Sequence, residues 1–251
     1  MLVIDHLTKR FGEKVAVSDL SLEVAAGQLY AFLGPNGAGK TTTLKCVAGL
    51  LRPTAGRVIV GGHDVHGDST AAKRLLSYVS DQPYLYEKLS GREFLAFVGR
   101  LYGIGRQECA SRVQRLVELF EAQEWADELT ENYSHGMRQK IVISAALIHD
   151  PSAMVIDEPM VGLDPRSARI VKTVLRERVA AGCAILMSTH TLSVAEEMAD
   201  RVGIIHRGRL VVEGSCEDLR RSASAAQCLE DVFLSLTGGT GPAPVTPSPA
   251  T

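Results

Sequence analysis

The sequence predicts an α/β fold with a mostly parallel sheet and helices on both faces, an N-terminal antiparallel β subdomain and a helical insert. Three observations support this prediction. Short apolar runs alternate with helical stretches along the second half of the chain, as in parallel sheets covered by helices. The first part alternates apolar and polar residues with a period of two, as strands do. A long stretch with helical spacing separates these two parts.

The N-terminal elements are predicted as strands over residues 2–7, 15–24 and 29–33. In the second of these, Val15 and Val17 and then Leu20, Leu22 and Val24 fall on alternate positions. The third is a short apolar run that ends at a glycine, which is typical of a buried strand. A glycine-rich loop and a helix from 39 to about 50 follow it, and Pro-Thr-Ala-Gly ends that helix.

The remaining elements follow in the same way. Strands are predicted at 58–60 and 75–79, and helical spacing extends from about 91 to 131. After this insert the predicted order is strand 154–156, helix 166–181, strand 184–187, helix 192–199 and strand 202–205. Residues 238–251 are rich in Gly, Pro and Thr, so we expect that segment to be disordered.

The composition is that of an ordinary globular protein and excludes several classes. The chain has 251 residues, 45% of them hydrophobic and 22% charged, and its formal net charge is -2. This charge gives no electrostatic case for a nucleic-acid partner, and none is expected. Residues 1–6 do not resemble a secretory signal, and no apolar run approaches the roughly 20 residues of a membrane span. Any membrane role is therefore expected to depend on a partner.

The five cysteines do not indicate a metal or redox site. Their number is odd, and none pair at the spacings of zinc or redox motifs; they are Cys46, Cys109, Cys183, Cys216 and Cys228. We therefore expect scattered reduced thiols.

A phosphate-binding loop is the strongest motif. The run Gly-Pro-Asn-Gly-Ala-Gly-Lys-Thr over 34–41 fits the pattern G-x-x-x-x-G-K-[ST], with a predicted strand before it and a helix after it. This context predicts a P-loop nucleotide hydrolase core. Lys40 supplies charge to the terminal phosphates, the Thr41 hydroxyl suits Mg²⁺, and Thr42 suits a phosphate. The predicted ATP-binding residues of this loop are Gly34, Pro35, Asn36, Gly37, Ala38, Gly39, Lys40, Thr41 and Thr42.

Two carboxylates and a histidine end later apolar runs. Asp157 is expected to hold Mg²⁺ at a strand tip, while Glu158, directed elsewhere by strand alternation, orients the attacking water. His190 ends the next run, and ligands sit at the carboxyl ends of parallel strands. A solvated strand end and a structural histidine are the plainer interpretations. The phosphate loop upstream favours catalytic roles for Glu158 and His190.

A second motif resembles that of a known family. Tyr-Ser-His-Gly-Met-Arg-Gln-Lys over 133–140 resembles the signature of the ATP-binding cassette (ABC) transporter ATPases, usually written L-S-G-G-Q, and the likeness extends over about residues 2–220. The resemblance implies that Ser134, His135, Gly136 and Met137 act on the ATP of a partner subunit in a head-to-tail dimer. His135 and Met137 replace the usual Gly and Gln.

Further positions take their roles from this resemblance. Phe11 resembles the aromatic residue that stacks on adenine, and Asp164 resembles the acid of the segment that crosses the dimer interface. His190 resembles the histidine that contacts the γ-phosphate. The family's metal-coupling glutamine corresponds to Asp81 by register, or to Gln82 one residue later, and the sequence leaves both possible.

The resemblance implies an ATP-hydrolysing subunit, with Mg²⁺ as cofactor, that drives a separate transmembrane permease from the cytoplasmic face of the membrane. The second ATPase subunit is a copy of this chain or a related chain. The predicted domains are 1–220 for the ATPase with an insert at about 85–150, a helical extension at 221–237, and the tail 238–251. Segments 83–94 and 229–237 resemble bacterial export-type ATPases.

Two other functions fit the sequence less well. ATPases of related type that act on nucleic acids carry coiled coils, added domains or two cassettes, and this chain has one cassette, no heptads and no basic stripe. A nucleotide-binding regulator without turnover would not need Glu158 and His190, which are both present.

Overall fold

The computed structural model describes residues 1–82 and 84–215, so the predicted segments 221–237 and 238–251 lie outside the described residues. The strands are β1 Leu2–Phe11, β2 Lys14–Val24, β3 Leu29–Leu33, β4 Ala55–Val60, β5 His63–Asp64, β6 Leu76–Val79, β7 Ala153–Asp157, β8 Ala184–Thr189, β9 Arg201–His206 and β10 Arg209–Gly214. The α-helices are α1 Lys40–Val47, α2 Ser69–Leu75, α3 Gly91–Leu101, α4 Arg106–Leu119, α5 His135–Leu147, α6 Pro165–Ala180 and α7 Leu192–Met198.

The larger sheet has six strands in the order β10-β9-β3-β8-β7-β6. The five strands from β9 to β6 are parallel to their neighbours, and β10 pairs antiparallel with β9 at the edge. Since the carboxyl ends of parallel strands lie at one edge, the residues that follow β3, β8, β7 and β6 are brought together there. The predicted parallel sheet is confirmed.

The smaller sheet is antiparallel and has the order β2-β1-β4-β5, as predicted for the N-terminal part. One core fills the space between this sheet and the larger one. It contains Leu20 and Val58 from the small sheet, Tyr30 and Phe32 from β3, and Leu44 from α1. The two sheets therefore hold helix α1 between them.

A second core lies on the opposite face of the large sheet. Leu29, Ala31 and Leu33 of β3 point into it, because successive side chains of a strand alternate between faces. Residues of the helices α3 to α6 complete this core, including Leu95 and Ile141. The sheet is thus covered on both faces.

The insert between β6 and β7 differs from the sequence prediction in one respect. The helical spacing over 91–131 predicts helix throughout, but α3 ends at Leu101 and α4 ends at Leu119. Turns and a short 3-10 helix, Thr130–Asn132, occupy the rest of that stretch. Ser90 starts α3 with a capping box to Glu93, which fixes where the first helix begins. Among residues 1–82 and 84–215, no helix is long and apolar enough to cross a bilayer.

Candidate functional site

The glycine-rich loop joins β3 to α1 and leaves backbone N–H groups without acceptors at the start of the helix. Helix α1 begins at Lys40, and Thr43 N–H donates to the Gly39 carbonyl at 2.9 Å. The N–H groups of Lys40, Thr41 and Thr42 precede that first helical bond and have no acceptor within the helix. Gly39 has φ +112°, and a Cβ there would lie 2.7 Å from the Ala16 carbonyl oxygen. The loop can therefore present amides to an anion.

Lys40 is 6% exposed and already has oxygen partners. Its Nζ donates to the carbonyls of Gly34 at 2.5 Å and Pro35 at 3.3 Å, and lies 4.0 Å from Glu158 Oε1. Burial lowers the pKa of Lys40, while the carboxylates of Glu158 and Asp157 oppose that shift. The residue is therefore a cation placed between the loop and the acidic pair.

Asp157 ends β7 and is 1% exposed. Its Oδ1 accepts a hydrogen bond from the hydroxyl of Ser188 on β8, and its Oδ2 is buried without a hydrogen-bond partner. A buried anionic oxygen without a partner is costly unless a cation or a donor reaches it. Mg²⁺ commonly takes one carboxylate, with phosphate and water oxygens as the other ligands. Asp157, with the half-buried Thr41, fits such a site.

Glu158 points into the site for a reason that differs from the prediction. Strand β7 stops at Asp157, and Glu158 has φ +50°, so its direction comes from a left-handed backbone turn and not from strand alternation. Its N–H donates to the Ser188 carbonyl at 3.2 Å, which fixes this turn against β8. His190 Nδ1 donates to Glu158 Oε1 at 2.8 Å. The structure thus brings Lys40, Glu158 and His190 into one chain of contacts.

The loop after β6 contains both candidates for metal coupling. Asp81 and Gln82 are exposed at the carboxyl end of that strand. Asp81 Oδ1 accepts from the Ser80 hydroxyl and from Gln82 N–H, each at 3.0 Å. These bonds shape the turn and leave both residues as candidates.

Phe11 lies at the end of β1, 48% exposed, with Lys9 Nζ 5.0 Å from its ring centroid. The exposure of the ring is compatible with the predicted adenine contact, which stays a prediction.

The signature residues lie at the start of α5. Ser134 is the N-cap and accepts from Met137 N–H at 3.3 Å, while His135 Nε2 lies 3.2 Å from the Val161 carbonyl oxygen. The start of α5 is a second helix N-terminus, where the first N–H groups have no acceptor within the helix.

Asp164 has a clear local role as the N-cap of α6. It accepts from Ser167 N–H at 3.0 Å and from the Ser167 hydroxyl at 2.5 Å. The hydroxyl bond is the main cause that lowers the pKa of Asp164. The predicted part in a dimer interface stays a prediction.

Ser188 binds both members of the acidic pair, and its role was not predicted from the sequence. It is in register with Asp157 on neighbouring strands and donates its hydroxyl to that carboxylate. A signal was present, since Ser188 lies in the same apolar run that ends at His190. Without the strand order, nothing connected it to Asp157.

Comparisons with known proteins agree with this geometry. The sequence profile of the ABC transporter family matches residues 17–161. The daunorubicin resistance ATP-binding protein DrrA3 of Streptomyces coeruleorubidus is 36% identical over 96% of this chain and 76% of its own length. The ABC transporter ATP-binding protein NatA of Bacillus subtilis is 33% identical, over 94% of this chain and 97% of its own.

Solved structures give the same result. A structure described as the ATP-binding subunit of an ABC transporter superposes with a TM-score of 0.89 at 31% identity, and covers 94% of this chain and 99% of its own. A dimeric ATP-binding cassette, MJ0796 with ADP and Pi, shares the fold with a TM-score of 0.79 at 23% identity, over 86% of this chain and 98% of its own. The predicted resemblance is confirmed. The chain belongs to the ABC transporter family, as a subunit that binds and hydrolyses ATP.

Proposed function

We propose that this chain hydrolyses Mg-ATP in a head-to-tail dimer, with a second copy or a related ATPase subunit, and drives a separate membrane permease in the direction of export. One observation carries the proposal. Lys40, Asp157, Glu158 and His190 converge at the carboxyl ends of three adjacent parallel strands, where the phosphate loop also opens. That arrangement can hold a nucleotide and polarise a water beside it.

Each residue has a distinct task in this mechanism. The loop amides and Lys40 bind the phosphates, and Lys40 can leave the Gly34 carbonyl to do so. Glu158 orients the attacking water and accepts its proton, while His190 holds the carboxylate in place. Asp157 and Thr41 would hold Mg²⁺, with Asp81 or Gln82 nearby; the ion supplies positive charge that offsets the charge of the phosphates.

The signature supports the dimer. Ser134 caps α5, and the first amides of this helix can bind an anion as those of the phosphate loop can. A head-to-tail dimer would let one ATP contact the phosphate loop of one chain and this helix start of the other. In the proposed dimer, Ser134 to Met137 of one chain close on the ATP held by the loop of the other.

The direction of transport is inferred from relatives. One is named for daunorubicin resistance, and another, 36% identical over 90% of this chain, is named as a Nod factor export ATP-binding protein from Burkholderia lata. We propose the same direction here. The permease would hold the subunit at the inner face of the membrane. The ATPase domain is proposed to span 1–220, with its insert at about 85–150.

The docking surface for the permease is proposed at the groove beside α3. Its lining includes Tyr84, Tyr86, Lys88 and Arg138. Tyr84 is 77% exposed, and Tyr86 packs edge-on against Phe97 at 5.5 Å between ring centroids. Exposed aromatic side chains next to an arginine are the residue types that dominate protein interfaces.

The Glu158→Gln variant tests the composite site. Gln keeps the size of the side chain but cannot accept the proton of water, so ATP hydrolysis should fall by about 10²-fold or more. Lys40, Asp157 and Ser134 are unchanged, so Mg-ATP should still bind. Since hydrolysis normally opens the dimer, the variant should accumulate as a dimer on size-exclusion chromatography with Mg-ATP.

Ser134→Arg is the matched control in the same background. It adds bulk and positive charge at the start of α5, so the trapped dimer should disappear while each chain still binds nucleotide. A Glu158→Gln protein that turns over ATP normally would show that another residue is the base. One that stays monomeric with Mg-ATP, even with the permease present, would contradict the head-to-tail dimer.

A further inference from the structure

His135 makes a contact within its own chain. Its Nε2 lies 3.2 Å from the Val161 carbonyl oxygen, in the segment that begins three residues after Glu158. A carbonyl can only accept, so the histidine donates its Nε2–H in this bond. The start of the signature helix is therefore tied to the loop that follows the acidic pair.

The His135 ring also fills the space beside Gly162. Gly162 has φ +75°, and a Cβ built on it would overlap the His135 ring, whose edge occupies that space. The Gly162 carbonyl oxygen also lies 3.7 Å from the Cβ position of Gly136. The histidine ring and the glycine backbone are thus in close contact without room for another side chain.

A second residue on the same face of the helix repeats the contact. Gln139 follows His135 by four residues, one turn later on α5. It is 1% exposed, and its Nε2 donates to the Pro159 carbonyl at 3.5 Å. Two side chains of α5 therefore hold the segment 159–162 at both ends.

We propose that His135 is a positioning residue that couples the signature helix to the loop carrying Glu158 within one chain. In the proposed dimer the signature reads the partner's ATP, whereas Glu158 acts on the ATP of its own chain. The His135–Val161 bond then links the two nucleotide sites through a single side chain. This coupling rests on the proposed dimer, but the contact itself exists in the single chain and can be tested there.

Hydrogen exchange of the nucleotide-free monomer tests the contact without ATP. Val161 N–H donates to the Glu158 carbonyl at 3.3 Å and Leu163 N–H to the Met160 carbonyl at 3.4 Å, so both amides report on this loop. His135→Ala should raise exchange at these amides by about 2- to 12-fold, the effect of losing one neutral hydrogen bond. His63→Ala, a histidine of the small sheet, should leave them unchanged.

Rescue separates the hydrogen bond from bulk. His135→Gln keeps an N–H donor on a side chain of similar reach, so it should bring exchange back toward the wild-type rate. Gly162→Ala should disturb the loop by displacing the ring, and its effect should shrink in the His135→Ala background, where that overlap is gone. Unchanged exchange in His135→Ala, or effects of the two changes that simply multiply, would overturn the proposal.

Steady-state kinetics test the coupling. His135→Ala should lower kcat by about 2- to 12-fold with KM for ATP within about twofold, and His135→Gln should recover most of kcat. A large rise in KM with kcat preserved would mean that His135 serves to bind the partner's ATP and not to position the loop that carries Glu158, and would overturn the positioning role. If exchange responds as expected but Glu158→Gln never dimerises, the contact stands and the proposed function fails.

Discussion

Lys40 shows how one residue can be both structural and functional. Its ammonium group is buried between backbone carbonyls of the loop and the Glu158 carboxylate, so its charge is only partly compensated. Burial lowers the pKa of Lys40, because the charged form is poorly solvated there. Phosphate oxygens would compensate this charge better than carbonyl dipoles do.

Lys40→Ala should therefore lower the rate of ATP hydrolysis by about 10²-fold or more, below what can be measured, because the terminal phosphates lose their cation. The fold should persist, with a melting temperature within a few degrees of wild type, since the ammonium group of Lys40 contacts only the loop carbonyls and Glu158. Phosphate release and thermal denaturation measure the two effects. Lys45→Ala, on the same helix, is the charge-matched control and should retain activity within about twofold. Unchanged turnover in Lys40→Ala would contradict the assigned role of the loop.

At the scale of single residues, the sequence predicts which residues lie in the site better than it predicts where their side chains point. The pattern 34–41 specifies Lys40 because its backbone requirements appear as glycines in the sequence. The orientation of Glu158 depends on a positive φ held by a bond to Ser188, and neither feature has a local sequence signal. Likewise, nothing in the spacing of His135 predicts that its ring lies on Gly162.

At the scale of elements, strong periodic segments were predicted and weak ones were not. The pattern gave the strands of the parallel sheet as far as β9, because each is an apolar run bounded by turn residues. Among the described residues, the prediction missed the short 3-10 helix and three further elements: β5, which has two residues, β10, an edge strand that is half exposed, and α2, of whose residues only Ala72 is buried. A helix or strand that buries almost nothing has no apolar stripe to detect.

The groove beside α3 leads to a prediction at this scale. Tyr84→Glu should weaken co-purification with the permease, because it places a charge on an exposed aromatic residue of the proposed interface. ATP binding by the isolated subunit should be unchanged, because Tyr84 packs against Tyr86 and is not part of the Lys40–Glu158 ion pair at the phosphate loop.

Leu101→Glu is the matched control for this surface. Leu101 is 69% exposed at the far end of α3, so the same charge there should leave permease binding intact. Cross-linking of the permease to a different face, or equal loss of binding in both variants, would contradict the assignment of the groove.

At the scale of the whole molecule, the helical insert must be joined to the large sheet that it covers, and His149 lies at this junction. Its ring stacks on Tyr102, at the end of α3, with 3.6 Å between centroids and 6° between planes. Its Nε2 lies 3.5 Å from the hydroxyl of Ser77 on β6. The insert and the parallel sheet therefore meet at this histidine. The sequence could not predict this, since the three residues are distant along the chain.

Burial lowers the pKa of His149 to about 4. This effect outweighs the hydrogen bond to the Leu76 backbone and the charge of Asp150, which both raise the pKa. Between the ordinary value of about 6.5 and this value, the unfolded chain binds more protons at this residue than the folded chain does. Stability should thus be complete above about pH 6.5 and decrease as the pH falls toward 4.

The variant His149→Phe isolates this contribution, because Phe retains an aromatic ring against Tyr102 but cannot bind a proton. Between pH 7 and pH 5 the wild type should lose about 1 kcal/mol more unfolding free energy than the variant, a figure discounted because the ring is partly open to solvent. Other titrating groups are common to both proteins and cancel in this difference. Urea denaturation at the two pH values measures it. Equal losses in both proteins would mean that His149 is not held neutral at the junction between the sheet and the insert.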